Sequence, residues 1–549
     1  MNKRLTSLLI AAISFALQAA AQDIRVEYLN PKTSSIMVID TSKKYLLLPI
    51  EEAAPECVVK VISDNRTVSS LNIRLAKNAV DYHVPFSLAP FKEDGVLLDV
   101  VSPYSNDNPA YWTGQISLSD DFQISGHDNW RPSFHHTPAY AWMNDPNGMF
   151  FLDGVWHLYY QYGPYASVWN NMHWGHSTST DLVNWKEEEI ALYPDALGQI
   201  FSGSCVVDKN NTAGFGKGAI IAMYTTAGNA QRQNIAYSTD GGYTFTKYSH
   251  NPVLSADIPD FRDPNMFWNE RIGKWNLILA AGQEVRIYSS PDLKDWQEES
   301  RFGREYGAHG GVWECPDLIP VDGKWVLVCN INPGGPSGGS ATQYFIGSFD
   351  GHQFKCEDEP DETKWMDYGK DHYATVSFSN APDNRKTVIA WMSNWEYADK
   401  VPTRQFRSAN SIARDLFLYE ADGETYVGCR PCHEYDGGVL NAIIPDSDKT
   451  VKVKGSKEWV IYNDRGDTAL IKYDEKAMTL SFSRAESGVT DFSASFPTTT
   501  AAPVHRKLKN IRIIVDNSSV EIFGNDGEVC LTNLVFPESP LTKIRTYKK

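Results

Sequence analysis

Along most of this chain short hydrophobic runs alternate with polar positions, and Gly, Asp, Asn and Pro break the runs at close intervals. Helical spacing is scarce, so the pattern predicts an all-β protein. Between about 126 and 432 the pattern also repeats. Each copy has an apolar strand usually introduced by a turn and an aromatic residue, a second strand, and a Ser/Thr-x-Asp-type turn closing on an aromatic. The first runs from Asp153-Gly154-Val155-Trp156 to Ser179-Thr180-Asp181-Leu182 and Trp185, the second from Ile220-Ile221-Ala222 to Ser238-Thr239-Asp240 and Phe245. The third joins Gly273-Lys274-Trp275 to Ser290-Pro291-Asp292 and Trp296; the fourth joins Asp322-Gly323-Lys324-Trp325 to Ser348-Phe349-Asp350 and Phe354. A degenerate fifth keeps Val388-Ile389-Ala390-Trp391. The turn aspartates Asp181, Asp240, Asp292 and Asp350 are 59, 52 and 58 residues apart. That period fits one four-stranded blade each and predicts a five-bladed β-propeller over 126–432, in preference to a string of sandwich modules.

The flanks lack the repeat. Residues 22–125 carry alternating runs such as Val96-Leu97-Leu98-Asp99-Val100-Val101, and 433–549 include Asn510–Val515 and Ser519–Gly524. Both predict β-sandwich-like domains. At the start, Lys3 and Arg4, an apolar run from Leu5 to Leu17 and Ala19-Ala20-Ala21 before Gln22 read as a cleavable export leader over 1–21. No cysteine follows the cleavage site to take a lipid, and no later run is long enough for a membrane helix, so a secreted or periplasmic chain without membrane insertion is expected. The eight cysteines are too few and too irregularly spaced for a disulfide-stapled scaffold. Cys429-Arg-Pro-Cys432 has redox spacing but neither a βαβ surround nor a second pair for zinc. A net charge of −17 disfavours nucleic acid as a partner. Nothing in the pattern reports an oligomeric state.

Three acidic motifs stand against this frame: Trp142-Met143-Asn144-Asp145-Pro146-Asn147-Gly148, Phe261-Arg262-Asp263-Pro264 and Trp313-Glu314-Cys315-Pro316-Asp317. Singly, each reads as turn chemistry. Their register changes that reading, because Asp145 precedes Trp156 by 11, Asp263 precedes Trp275 by 12 and Glu314 precedes Trp325 by 11. Equivalent places in a propeller converge on one rim, so the three carboxylates are expected in one funnel. Carboxylates held together repel and shift their proton affinities apart. Glycoside hydrolysis uses that difference, with one group as acid and another as nucleophile or base. Trp142, Trp169, Trp174, Trp313, Trp391 and Trp395 supply aromatic faces for sugar stacking, although core packing accounts better for most of them.

These motifs, with Phe201-Ser202-Gly203-Ser204 and Ser519-Val520-Glu521-Ile522-Phe523, resemble the invertase, inulinase and levanase fructosidases of glycoside hydrolase family 32, in family order over residues 130–549. The resemblance implies a propeller followed by a sandwich, with hydrolysis of terminal β-fructofuranosyl bonds of fructan or sucrose, retention of configuration, and neither metal nor cofactor. It makes Asp145 the nucleophile, Glu314 the acid/base and Asp263 the transition-state stabiliser. Asn144, Gln161, Trp169, Phe201, Ser202 and Arg262 match the fructose pocket, with Trp395 a weaker match. Gly163-Pro164 stands where the family usually has Asn-Pro, and the 22–125 segment lies outside the usual plan. An endo-acting fructanase, a fructosyltransferase and a non-catalytic fructan-binding propeller are the alternatives.

Overall fold

The computed structural model describes residues 23–548 except 93–94, 106, 108 and 125–127; the expected leader lies outside the described residues. The chain divides into two compact units, one running to residue 125 and including 164–166, the other comprising 126–163 and 167–549.

In the larger unit five antiparallel sheets form the propeller. Their inner strands are Ala141–Leu152, Gln199–Asp208, Phe261–Asn269, Val312–Val321 and Tyr373–Ser377, each followed outward by three more strands of its blade. The turn aspartates have a physical reason to recur. Asp181, Asp240, Asp292 and Asp350 each accept two backbone N–H bonds from the residues two to four positions on, which fixes the outer hairpin turn of blades one to four. The ring closes where Phe406–Arg407 pairs in parallel with Ala141 and Trp142 of the first blade.

Every inner strand slips register at the same height. The interruptions fall between Met143 and Pro146, Ile200 and Gly203, Arg262 and Asn265, Glu314 and Asp317, and Tyr373 and Val376. Such bulges turn side chains out of the pleat, and one falls at this height in every blade, the first blade carrying a second between Asn147 and Phe150. Below them the blades are tied in sequence. Gly203 N–H donates to Asn147 Oδ1 (3.1 Å), Met266 N–H to Ser204 Oγ (2.9 Å), and Ser377 N–H and Oγ both donate to Asp317 Oδ2 (2.8 and 2.6 Å).

The C-terminal part is a sandwich of a four-stranded sheet (Asp448–Lys452, Asn510–Val515, Ser519–Gly524, Val529–Leu534) and a five-stranded one. Trp459, Ile461, Ile471, Phe482, Ile513 and Ile522 are among its buried core residues. Its contact with the propeller is polar as well as apolar. His135 sits between Asp516 (2.8 Å) and Glu521 (2.7 Å), and Arg414 bridges Glu521 and Asp367, all fully buried. Burial alone would lower the His135 pKa, but its two carboxylate partners carry it up to about 9. Burial would raise that of Glu521, yet Arg414 and His135 hold it at about 2.

The consequence for stability has two limbs. The His135 contribution is complete below its ordinary value of 6.5 and is lost as pH rises through about 9. The Glu521 contribution is complete above its ordinary value of 4.5 and is lost as pH falls toward about 2. Urea midpoints are therefore expected to peak between pH 4.5 and 6.5, and His135→Gln to flatten the alkaline limb when the same titration is repeated.

The smaller unit has a five-stranded sheet ordered Ile24–Asn30, Thr33–Val38, Val96–Val101, Cys57–Ser63 and Arg66–Ile73, and a three-stranded sheet of Tyr82–Ser87, Tyr45–Ile50 and Ser117–Ser119. Ile36, Leu46, Leu48, Val59, Val84, Leu98 and Val100 are buried, in the alternation expected of a sandwich.

Candidate active site

The bulges build the site. Asp145, Ser202, Asp263 and Cys315 all lie within the register slips of blades one to four, with Asp263 and Cys315 at positive φ (63° and 43°). Strand pairing corrects one expectation from spacing. Arg262 pairs with Ala280 and Glu314 with Asn330, each five residues beyond the tryptophan that opens its partner strand. Glu314 is thus the equivalent of Arg262 and Cys315 of Asp263, while Asp145 is the second residue of its slip, level with Pro264 and Pro316. Counting along the chain hides this, since the hairpin loop holds four residues in blade three (270–273) and two in blade four (322–323).

The three carboxylates nevertheless converge. Cys315 Sγ lies 3.6 Å from both Asp145 Oδ2 and Asp263 Oδ2, so those two oxygens are at most about twice that far apart, and the Cys315 N–H donates to Asp263 Oδ2 at 2.9 Å. Arg262 joins the other pair, with Nη2 2.8 Å from Glu314 Oε1 and Nε 3.9 Å from Asp263 Oδ2. Asp145 is held by Asn144 Nδ2 (3.0 Å) and Ser202 Oγ (2.8 Å), and Asn144 accepts from Trp142 Nε1 (2.8 Å).

Electrostatics follow from burial. Desolvation and the Glu314 charge raise the pKa of Asp145, while the hydrogen bonds from Asn144, Ser202 and the Cys315 thiol pull it down. Asp263 is pushed up to about 7 by burial and by its two acidic neighbours, against the pull of Arg262. Burial thus lifts both aspartates together. Arg262, in turn, is kept charged: desolvation opposes its charge, but Glu314 and Asp263 outweigh that cost.

Around this centre the Gln161 amide nitrogen is buried without a partner, an orphan donor suited to a ligand oxygen. Phe201 meets Trp169 edge-on at 6.0 Å, and Trp169 is 40% exposed. Trp395 stacks on Trp142 at 5.9 Å. Trp174, Trp313 and Trp391 are fully buried core residues. Beyond Glu314 and Asp263, Arg262 also donates to Gln231 Oε1 and pairs with a further carboxylate, Asp260.

The comparisons decide the family. Residues 135–428, more than half of the chain, match the glycosyl hydrolases family 32 N-terminal domain, and 447–549 match the family 32 C-terminal domain. The chain belongs to glycoside hydrolase family 32. Residues 31–134 of this family 32 chain match a domain of unknown function. Levanase of Bacillus subtilis (strain 168) is 43% identical over 463 residues, covering 76% of this chain and 68% of that protein. An extracellular exo-inulinase of Meyerozyma guilliermondii is 38% identical, covering 74% and 90%. Among solved structures, exo-inulinase from Aspergillus awamori superposes with a TM-score of 0.70 at 31% identity, covering 78% of this chain and 96% of that one. The β-fructofuranosidase of Schwanniomyces occidentalis complexed with fructosyl-erythritol gives 0.68 at 33%, with the same coverage.

Two residues of the family 32 site escaped sequence reasoning. Cys315 was legible in principle, since Asp145-Pro-Asn147, Asp263-Pro-Asn265 and Cys315-Pro-Asp317 share one pattern. Tyr373 was not, because the fifth copy of the repeat is degenerate. Its hydroxyl donates to Glu314 Oε2 from the inner strand of blade five, opposite the Arg262 contact on Oε1. A hydrogen bond to a charged group contributes about 1.5–3 kcal/mol, so Tyr373→Phe is expected to lower kcat/KM roughly 10- to 100-fold with an unchanged fold, checked by steady-state kinetics and thermal midpoint.

Proposed function

We propose that this chain is an exported exo-β-fructosidase that releases terminal fructose from levan- or inulin-type fructans and from sucrose with retention of configuration. The observation that carries the reading is the convergence of Asp145, Asp263 and Glu314 around one guanidinium and one thiol. The names of the relatives, levanase and exo-inulinase, support the same substrate class.

Asp145 is assigned as nucleophile. Its carboxylate attacks C2 of the fructosyl unit while Glu314 gives its proton to the departing oxygen, so the C2–O glycosidic bond breaks as the C2–O bond to Asp145 forms. Glu314 then takes a proton from water, the water oxygen attacks C2, and the Asp145 ester bond breaks. Donors from Asn144 and Ser202 favour the ionised nucleophile. Asp263 accepts hydrogen bonds from ring hydroxyls as oxocarbenium character develops, and Arg262 opposes the rise that burial imposes on the Asp263 pKa. Gln161, Trp169, Phe201 and Trp395 contact the sugar. Export is supported by the extracellular designation of the Meyerozyma relative and by the basic, apolar and small-residue order of the first residues.

The test is product analysis on levan, inulin and sucrose, with the anomer followed by NMR in the first minutes. Free fructose released first as the β anomer is expected. Oligosaccharides as the initial product would replace exo with endo action, transfer products would make sugar the acceptor, and an initial α anomer would remove the covalent intermediate.

A further inference from the structure

The Cys429-x-x-Cys432 spacing has no redox role as a pair here. Cys429 lies in the strand Glu424–Pro431, the last of blade five, and the chain continues extended, so the two side chains part. Cys432 hydrogen-bonds toward Asp415, whereas Cys429 faces the sandwich. There it meets Cys530 of the strand Val529–Leu534. Cys530 Sγ donates to the Cys429 carbonyl oxygen at 3.4 Å, and the adjacent Cys429 thiol helps keep Cys530 protonated.

The backbones are fixed in this relation. Cys429 N–H donates to Gly527 O at 2.8 Å, and a Cβ on Gly527 would stand 2.4 Å from the Cys429 carbonyl oxygen, so only glycine lets the two strands approach this closely. Both cysteines are buried in one apolar cluster with Phe523 and Tyr344. Cys205, Cys315, Cys329 and Cys356 belong to blades two and four. All eight cysteines are thiols in the structure.

We propose that Cys429 and Cys530 form a disulfide in the exported protein, stapling the propeller to the sandwich. Export places the folding chain in an oxidising compartment, where such bonds persist. The two thiols give up two protons and two electrons to a protein disulfide, which leaves as a dithiol. Burial drives the Cys530 thiol well above its usual pKa, so thiolate is scarce once the strands pack and the bond closes during folding. The cysteines are 101 residues apart, and a loop of that length makes the link an effective constraint on the unfolded chain.

The full chain with its own leader is to be exported from a bacterial host, purified, denatured without reductant, labelled with a maleimide and weighed, with a reduced sample alongside. All but two of the eight cysteines should be labelled, the protected pair should appear as one cross-linked peptide containing 429 and 530, and reduction should expose both. Cys530→Ala should free Cys429 for labelling, Cys429→Ala should free Cys530, and each should lower the thermal midpoint by the same amount as the double variant while fructose release is unchanged. Complete labelling of the unreduced exported protein, or a protected pair that survives Cys530→Ala, would overturn the proposal. Because the readout is covalent, it stands or falls apart from the catalytic assignment.

Discussion

Asp145→Asn is expected to lower the rate of fructose release by about 10,000-fold or more, the scale seen when a covalent nucleophile is removed from an otherwise complete site. Asparagine keeps the shape and retains an oxygen to accept from Ser202, so the thermal midpoint should move little. The amide does not attack C2, and the residual rate then reports what binding and the remaining charges achieve alone. Steady-state release from sucrose, with a thermal scan of the same preparation, measures both. Activity within tenfold of the parent enzyme would remove Asp145 from the chemistry. A large fall in midpoint would instead mark it as a structural carboxylate.

The second large effect concerns stability. Arg414→Met removes the cation between Asp367 and Glu521, leaving two carboxylates buried at the junction of propeller and sandwich. Breaking a buried pair in this way costs about 3–5 kcal/mol, because Asp367 loses its arginine and Glu521 keeps only His135 as a cationic partner. Adding Glu521→Gln should recover part of the loss, since the neutral amide no longer needs the arginine; that non-additivity separates an electrostatic role from mere packing. Urea midpoints for the three proteins decide it, and equal losses in the single and double variants would contradict the account.

Much of this molecule was legible in its sequence because the repeat is enforced locally. Asp181, Asp240, Asp292 and Asp350 organise their own turns within a few residues, so their spacing records the blades directly. The acidic motifs were legible for a similar reason, each being contiguous. What escaped depends on distance or on register. His135 and Asp516 are 381 residues apart, and no pattern within either segment announces the pair. Tyr373 reaches Glu314 from a blade whose strands are separated by the 393–413 excursion. The placement of Glu314 one step before the bulge, level with Arg262, is invisible to residue counting, since the hairpin loops of blades three and four differ in length.

Five slips at one height also mean that the scaffold presents five sockets, of which chemistry occupies three with acids or their immediate neighbours. Ser202 already fills the one in blade two, and the fifth, at Ala374 and Thr375, carries no ionisable group. Both are fully buried, and Thr375 bonds Asn330 and Thr342, so that station is given over to joining blade five to blade four. One local distortion thus serves two ends, aiming ionisable groups inward in some blades and locking one blade to its neighbour in another.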